Sequence, residues 1–250
     1  MPKPLIQTTG RRKEAERAGR LRGIGLCCFL EVAGGSPLAE VADLRFGEDA
    51  SVVLRTGAQA MGQGQLTTLP LMLSAVLQVD GKRIRIVQGD SDEVPAGLPT
   101  VASRSTMMAG GAMQKAFEEM VAKGRPLAAE KLEAAAADIE YAAGEFRVAG
   151  TDRRVKLEAL AGGGRLDTVA TFNAPEMSFP NGCHVCEVEV DPDTGLFRIV
   201  AYSAVDDVGT IVHPGIVEGQ IHGGVAQGTA QALLEEVRYD DEGNPITSNL

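Results

Sequence analysis

The chain has 250 residues, of which 44% are hydrophobic, so it is long and apolar enough for one large globular domain or two ordinary ones. The formal net charge of −10 argues against DNA, RNA or an anionic membrane as a partner. Aromatic residues make up only 4%, with no Trp, which excludes a platform that stacks nucleic-acid bases. No segment approaches the roughly 18 uninterrupted apolar residues of a bilayer-spanning helix. The polar start lacks the apolar centre of a signal peptide, so we expect a cytoplasmic protein.

Strands and helices are predicted in irregular alternation along the chain. The charged residues 1–20 are expected to be an N-terminal extension, either a short helix or a frayed end. Strands or strand pairs are predicted at 22–32, 39–46, 51–56, 82–88, 141–155, 183–190, 196–205 and 237–250. Helices are predicted at 69–79, 106–122, 127–137 and 216–236. Paired strands with interspersed helices favour an α+β fold, with mixed or antiparallel sheets and packed helices.

The glycine run that begins at Ala161 is the best candidate for a linker. It divides the chain into a first α+β subdomain at 21–160, a linker at 161–175 and a second α+β subdomain at 176–250.

Four cysteines form two close pairs, Cys27 with Cys28 and Cys183 with Cys186. The second pair has a spacing that metal or redox sites use, but a zinc site would need another pair at matching spacing. The residues after Cys186 alternate with a period of two, which places the pair inside a strand. We therefore interpret all four as strand cysteines.

The segment 219–228 packs four glycines and two glutamines, Gln220 and Gln227, around His222. Glycines allow a backbone to approach a ligand closely, and glutamine amides offer a donor and an acceptor side by side. This combination indicates a bulky heterocyclic cofactor.

Gly62, Gln63 and Gly64 lie between a predicted strand and a predicted helix. Backbone N–H groups at a helix start form a natural anion site, and Gln63 adds an amide. The alternative is that a strand-to-helix turn alone accounts for the two glycines.

A second loop, which runs from Gly89 to the start of the helix at 106, ends in Ala102, Ser103, Arg104, Ser105 and Thr106. Its hydroxyls, N–H groups and guanidinium suit a phosphate or pyrophosphate at a helix N-terminus. In the alternative interpretation Ser103 or Ser105 simply caps the helix. Capping needs one hydroxyl, however, and not a cluster with an arginine.

In order and spacing these segments resemble the molybdopterin-binding large subunit of the xanthine dehydrogenase, aldehyde oxidase and carbon monoxide dehydrogenase family. The resemblance runs from about Gly23 to Leu250, interrupted mainly at 123–175. It rests on the segments 61–64, 89–92, 102–111, 188–195, 206–209, 214, 219–220 and 227–228. It implies the molybdenum cofactor-binding type of α+β fold.

The resemblance implies molybdopterin, or molybdopterin cytosine dinucleotide, as the cofactor, with molybdenum held by the pterin and not by protein side chains. Gln63, between Gly62 and Gly64, would bond the pterin or phosphate side, and Gln220 and Gln227 would add amide contacts. Residues 102–106 would hold the pyrophosphate or nucleotide end. A structural or rim role is favoured for His222. The chain departs from the family at Gln65, where members often carry His.

By the same resemblance, the whole enzyme would hydroxylate an aldehyde or N-heterocycle with oxygen from water. Electrons would leave through iron–sulphur clusters and FAD on partner domains or subunits. The family's catalytic glutamate lies in a Gly-x-Gly-Glu segment, which this sequence lacks. We therefore expect a fragment, truncated at the end of its second subdomain and missing the N-terminal part of the subunit. Such a fragment would contain no catalytic residue, be inactive alone and form homo-oligomers.

Two other functions remain open. One is a non-catalytic module that binds the cofactor or forms a subunit interface. The other is a generic nucleotide-binding enzyme that uses Ser103, Arg104 and Ser105.

Overall fold

A computed structural model describes residues 8–34, 39–94 and 96–247. The helices are α1 (Thr8–Arg17), α2 (Gln65–Leu77), α3 (Ser105–Lys131) and α4 (Pro214–Leu233). The strands are β1 (Leu21–Leu30), β2 (Glu40–Phe46), β3 (Val52–Thr56), β4 (Ile84–Val87), β5 (Ile139–Ala142), β6 (Glu145–Val148), β7 (Arg154–Lys156), β8 (Thr168–Phe172), β9 (Asn181–Val190) and β10 (Phe197–Asp207). The predicted α+β class with mixed and antiparallel sheets is confirmed, since among the described strands β3 and β4 pair in parallel and the other pairs are antiparallel.

The described residues form two compact units. The first lies within Met1–Gly35 and Pro175–Thr210, and the second within Ser36–Ala174 and Ile211–Leu250. Residues 161–175, predicted as a linker, contain β8, which pairs with β2 in the sheet of the second unit. The glycine run at 162–164 therefore forms a local turn ahead of a strand.

The first unit is built on a three-stranded antiparallel sheet in the order β1-β9-β10. Two glutamates of β9, Glu187 and Glu189, are buried although most of the sheet is exposed. Arg22 pairs with both carboxylates, at 2.6 Å and 2.8 Å, and Arg11 and Arg198 each add a further ion pair. The hydrogen bond from Arg198 lowers the pKa of Glu189. Opposite charges thus neutralise the buried carboxylates of this sheet.

The four cysteines lie in strands, as the alternating pattern predicts. Cys27 and Cys28 belong to β1, and Cys183 and Cys186 to β9.

The second unit is built on a mixed four-stranded sheet in the order β4-β3-β2-β8. Helices α2 and α3 pack on this sheet and bury a continuous apolar core. Its largest fully buried side chains include Leu44, Leu54, Leu73, Met113 and Met120. A small antiparallel sheet of β5, β6 and β7 adds Phe146 to the same core. The predicted turn around Gly150 is confirmed between β6 and β7.

Helix α3 is a single helix of 27 residues, whereas the sequence predicts a break between two helices near Pro126. Proline inside a helix costs about 3 kcal/mol or more, because it removes a hydrogen bond and crowds the preceding turn. The buried positions of α3 continue across the proline, from Met120 through Gly124 to Ala128. Tertiary packing along this face outweighs the local cost.

Two glycines of α3 leave room for aromatic rings. A Cβ atom at Gly124 would overlap the ring of Phe146, and one at Gly111 would overlap the ring of Phe172. The helix therefore approaches the sheets more closely than alanine at either position would allow.

The first prediction concerns this close approach. Gly124→Ala should destabilise the chain by about 1–3 kcal/mol, because the overpacking penalty exceeds the gain in helix propensity of about 1 kcal/mol. Urea unfolding followed by circular dichroism measures the change. Gly228→Ala in α4 is the matched control, since its added Cβ meets nothing within 4 Å and should be neutral or stabilising. Equal effects of the two substitutions would contradict the packing described here.

Candidate functional site

The glycine loop, residues 59–64, connects β3 to α2. Gly62 and Gly64 adopt left-handed conformations, with φ of 103° and 90°. The side chain of Gln63 closes the loop: its Oε1 accepts from the N–H of Met61, and its Nε2 donates to the carbonyl of Gln59 at 2.9 Å. The amide of Gln63 therefore stabilises its own loop. The sequence pattern predicts that this amide bonds a ligand.

The serine loop, residues 97–104, leads into α3. Ala102 and Ser103 are both left-handed, with φ of 51°, although neither is a glycine. Each such residue costs about 1–3 kcal/mol and persists only where the surroundings enforce it. Arg104 occupies the N-cap position of α3, and no side-chain capping bond forms there among the described residues. A serine N-cap is thus not what shapes this loop.

Thr100 joins the two loops through its hydroxyl. It donates to the carbonyl of Gln59 at 2.8 Å and accepts from the N–H of Gln59 at 2.9 Å. The side chains of Gln65 and Ser105 lie within hydrogen-bonding distance of the same oxygen, at 3.1 Å and 3.2 Å. Sequence reasoning did not single out Thr100 as a site residue; the one signal was its position among the hydroxyls that precede α3.

Gln65 is buried at the start of α2. Its amide bonds Thr100, so it connects α2 to the serine loop. Gly57 and Gly97 bring the same loops together, because a Cβ on either would overlap the backbone of the other.

Arg104 forms a buried ion pair with Glu40 at the start of β2. The Nη1 to Oε2 distance is 2.7 Å, and the two side chains are 2% and 0% exposed. The second carboxylate oxygen, Oε1, accepts from the N–H of Val41. A buried carboxylate needs a charged partner, and here that partner is the guanidinium that the sequence assigns to a phosphate. Arg104 anchors the serine loop to the sheet.

Helix α4 begins beside the glycine loop. The ring of His213 accepts from the N–H of Ile216 at 3.3 Å and so caps the helix, and Pro214 follows as its first residue. Ile216 lies against Gly64, where a Cβ would be 2.7 Å from its Cδ1 atom. The contact at Gly64 places the start of α4 at the end of the glycine loop.

Gln220 and Gln227 are exposed on α4, seven residues apart and hence on one face of the helix. Within the described ranges neither amide makes a hydrogen bond. His222 is also exposed. The structure joins the glycine loop to the serine loop, and it leaves the two glutamines on an exposed face of α4, about 10 Å apart along the helix axis.

Four glycines of this helix have no packing role among the residues described. A Cβ added at Gly219, Gly223, Gly224 or Gly228 would meet nothing within 4 Å. Each glycine inside a helix costs about 1 kcal/mol relative to alanine. Contacts within the described residues therefore do not explain why α4 has these glycines despite their cost in stability.

Within residues 8–34, 39–94 and 96–247, no group of three or more His, Cys, Asp or Glu side chains is placed to hold a metal ion. No helix in these ranges is long and apolar enough to cross a membrane.

Comparison with known proteins identifies the family. Residues 3–250 match the model of the molybdopterin cofactor-binding domain. The chain belongs to this family. The predicted family and fold type are confirmed, and the chain is a molybdenum cofactor-binding domain whose relatives are oxidoreductases.

Among curated relatives, the chain is 36% identical over 251 residues to the 6-hydroxypseudooxynicotine dehydrogenase complex subunit gamma of Paenarthrobacter nicotinovorans. This alignment covers 95% of this chain and 31% of that protein. It is 34% identical over 259 residues to the carbon monoxide dehydrogenase large chain of Afipia carboxidovorans, covering 94% of this chain and 32% of that one. The chain thus spans about a third of the length of these relatives.

Solved structures agree with this assignment. Quinoline 2-oxidoreductase from Pseudomonas putida 86 superposes with a TM-score of 0.88 at 31% identity, over 98% of this chain and 34% of that one. A Cu,Mo-CO dehydrogenase in its carbon monoxide reduced state gives a TM-score of 0.86 at 32% identity, over 97% and 34% of the two chains.

The second prediction tests the buried ion pair. Arg104→Met should destabilise the chain by about 3–5 kcal/mol, because it leaves the Glu40 carboxylate buried without its partner. The double variant Glu40→Leu with Arg104→Met should recover most of this loss in urea unfolding. Arg147→Met removes the exposed pair with Glu140 and should cost at most about 1 kcal/mol. A loss for Arg104→Met as small as that of Arg147→Met would show that Arg104 is not buried against Glu40 in solution.

Proposed function

We propose that this domain is part of a molybdenum hydroxylase that hydroxylates an aldehyde or an N-heterocycle with oxygen taken from water. The observation that carries this proposal is the family match over residues 3–250, with the two predicted cofactor loops joined at Thr100. The chain spans about a third of its relatives, so the reaction belongs to a larger protein that includes this domain. The bound cofactor would supply the redox centre at which the substrate is oxidised.

The residues present fit such a cofactor through backbone donors. N–H groups at the start of a helix attract anions, and both loops lead into a helix start. Nothing lies within 4 Å of a Cβ added at Gly62, so the glycine loop has an open side. The left-handed Ala102 and Ser103 are the kind of enforced backbone that occurs at ligand sites.

The predicted roles can be refined accordingly. Residues 102–106 would hold the pyrophosphate or nucleotide end of a molybdopterin cytosine dinucleotide with main-chain N–H groups. Gly62 would let the cofactor approach the loop that Gln63 braces from inside, whereas Gly64 makes room for Ile216 of α4. Gln220 and Gln227 would offer their exposed amides to the heterocycle.

The proposed partners are iron–sulphur and FAD-carrying domains or subunits, which would accept the electrons. The P. nicotinovorans relative is named as one subunit of a dehydrogenase complex, which supports an assembly of this kind. Exposed apolar side chains such as Leu21, Leu196 and Phe197 in the first unit support association, including a homo-oligomer. The proposed location of this assembly is the cytoplasm.

A non-catalytic cofactor-binding or subunit-interface module is the second candidate. It is favoured by α4, in which no residue is buried, and by the exposed sheet of the first unit. The gene sequence that follows the codon of Leu250 separates the two candidates. A Gly-x-Gly-Glu segment encoded there supports the enzyme, because its glutamate would be the general base.

The third prediction concerns cofactor retention by the complete protein that contains this domain. Thr100→Val removes the hydroxyl that joins the two loops, and it should lower the molybdenum and pterin that co-purify by about tenfold, equivalent to about 1.4 kcal/mol. Thr100→Ser should retain most of the cofactor. Thr67→Val, at an exposed position of α2, is the control for loss of a threonine hydroxyl. Full retention by a folded Thr100→Val variant would contradict the proposed site.

The fourth prediction concerns the reaction. The complete protein should oxidise at least one aldehyde or N-heterocycle with an artificial electron acceptor, and isotopically labelled oxygen from water should enter the product. Mass spectrometry of the product measures this. Label that comes from dioxygen and not from water would contradict a hydroxylase of this class.

A further inference from the structure

The cysteines of the first unit have no part in the proposed cofactor site. All four are free thiols on two neighbouring strands; Cys27 and Cys28 are exposed, and Cys183 and Cys186 are half-buried. They are therefore accessible to small reagents, and the pairing of β1 with β9 decides which of them can react with each other.

Cys28 and Cys183 face each other across the two strands. The antiparallel register pairs them directly. Directly opposite residues in such a pair have Cα atoms about 4.5 or 5.5 Å apart, depending on the hydrogen-bonding pattern. Both separations lie within the range of about 4.4–6.8 Å that a disulfide requires. The two thiols are also close enough to hydrogen-bond, which raises the pKa of Cys183.

The other cysteine pairs do not meet this requirement. Cys27 lies opposite His184, and Cys186 lies opposite Gly25, so these two cysteines are diagonal neighbours. Diagonal positions are about 7–8 Å apart. The remaining pairs, within one strand or between strands, place their side chains on opposite faces of the sheet. The register thus selects one pair out of four cysteines.

We propose that Cys28 and Cys183 form a reversible redox site that a peroxide oxidises to a disulfide. The thiolate of Cys28 attacks the O–O bond of the peroxide, which gives a sulfenic acid on Cys28 and releases the other oxygen as water or an alcohol. The sulfur of Cys183 then attacks the Cys28 sulfur, an S–S bond forms, and the sulfenic oxygen leaves as water. Two electrons pass from the thiols to the peroxide. A dithiol reductant restores both thiols.

The exposure of the two thiols indicates which of them reacts at each step. Cys28 is the more exposed of the pair and meets the peroxide first. Cys183 is half-buried, lies directly opposite Cys28 and serves as the resolving thiol.

The disulfide would tie the edge strand β1 to the central strand β9. These strands are far apart in the chain, and most of the second unit lies between them. A cross-link across such a long segment restricts the unfolded chain, so oxidation should stabilise the first unit against loss of its edge strand.

The test is mass-spectrometric mapping of the 250-residue chain. The chain is treated with hydrogen peroxide at low protein concentration, its remaining thiols are alkylated, and it is digested without reductant. The expected product is a Cys28–Cys183 cross-linked peptide that disappears on treatment with dithiothreitol. The double variant Cys27→Ser with Cys186→Ser is the matched control and should give the same cross-link. Cys183→Ser should lower total intramolecular cross-linking at least tenfold and allow a sulfenic acid to be trapped on Cys28.

Other results would overturn the proposal. These are cross-links through Cys27 or Cys186 in comparable amounts, links only between two chains, or oxidation of Cys28 to higher acids without a link to Cys183. If the Cys183→Ser variant does not fold, the cross-links mapped in the wild type and in the Cys27→Ser, Cys186→Ser double variant still test the proposal. None of these results depends on the proposed hydroxylase function.

Discussion

The candidate site depends on one hydroxyl group, that of Thr100. It bonds both backbone groups of Gln59, so it fixes the glycine loop to the serine loop by two short hydrogen bonds. Gln65 and Ser105 add the starts of α2 and α3 to the same point. Two helix starts and two loops, which come from separate parts of the chain, are thereby held in one arrangement. The left-handed backbone that follows at Ala102 and Ser103 persists because this network and the buried Arg104–Glu40 pair enforce it.

The buried pair of Arg104 and Glu40 leaves little positive charge at the two loops of this acidic chain. Each loop leads into a helix start, where main-chain N–H groups are available as hydrogen-bond donors. In the proposed site, such donors would recognise the shape and hydrogen-bonding pattern of a ligand more than its net charge. A large cofactor with a phosphate would suit them, and rigid loops would then matter more than any single side chain.

Sequence patterns predict where the two loops lie in the chain, and not which groups their side chains bond. Residues 62–64 lie between a strand and a helix, and residues 102–106 lie at the start of a helix. The amide of Gln63 hydrogen-bonds backbone groups of its own loop, and Arg104 forms an ion pair with Glu40, which is 64 residues away in the chain. The partner of a polar side chain depends on which distant segment of the chain lies beside it. The local spacing of residues does not show which segment this is. The break predicted near Pro126 failed for a similar reason, because buried contacts along α3 outweigh the local cost of proline.

By itself the sequence determined the family, the α+β class and the order of the cofactor motifs. These depend on residue types at fixed local spacings, such as glycines where φ is positive and period-two alternation in strands. Only the tertiary structure decided that Thr100 joins the loops, that Arg104 faces Glu40 and that Cys28 faces Cys183. Each of these facts follows from how strands and loops far apart in the chain are brought side by side. A shift of one residue between β1 and β9 would turn every side chain of one strand to the other face relative to its partner. The register of the two strands, which the sequence alone does not show, therefore decides which cysteines face each other.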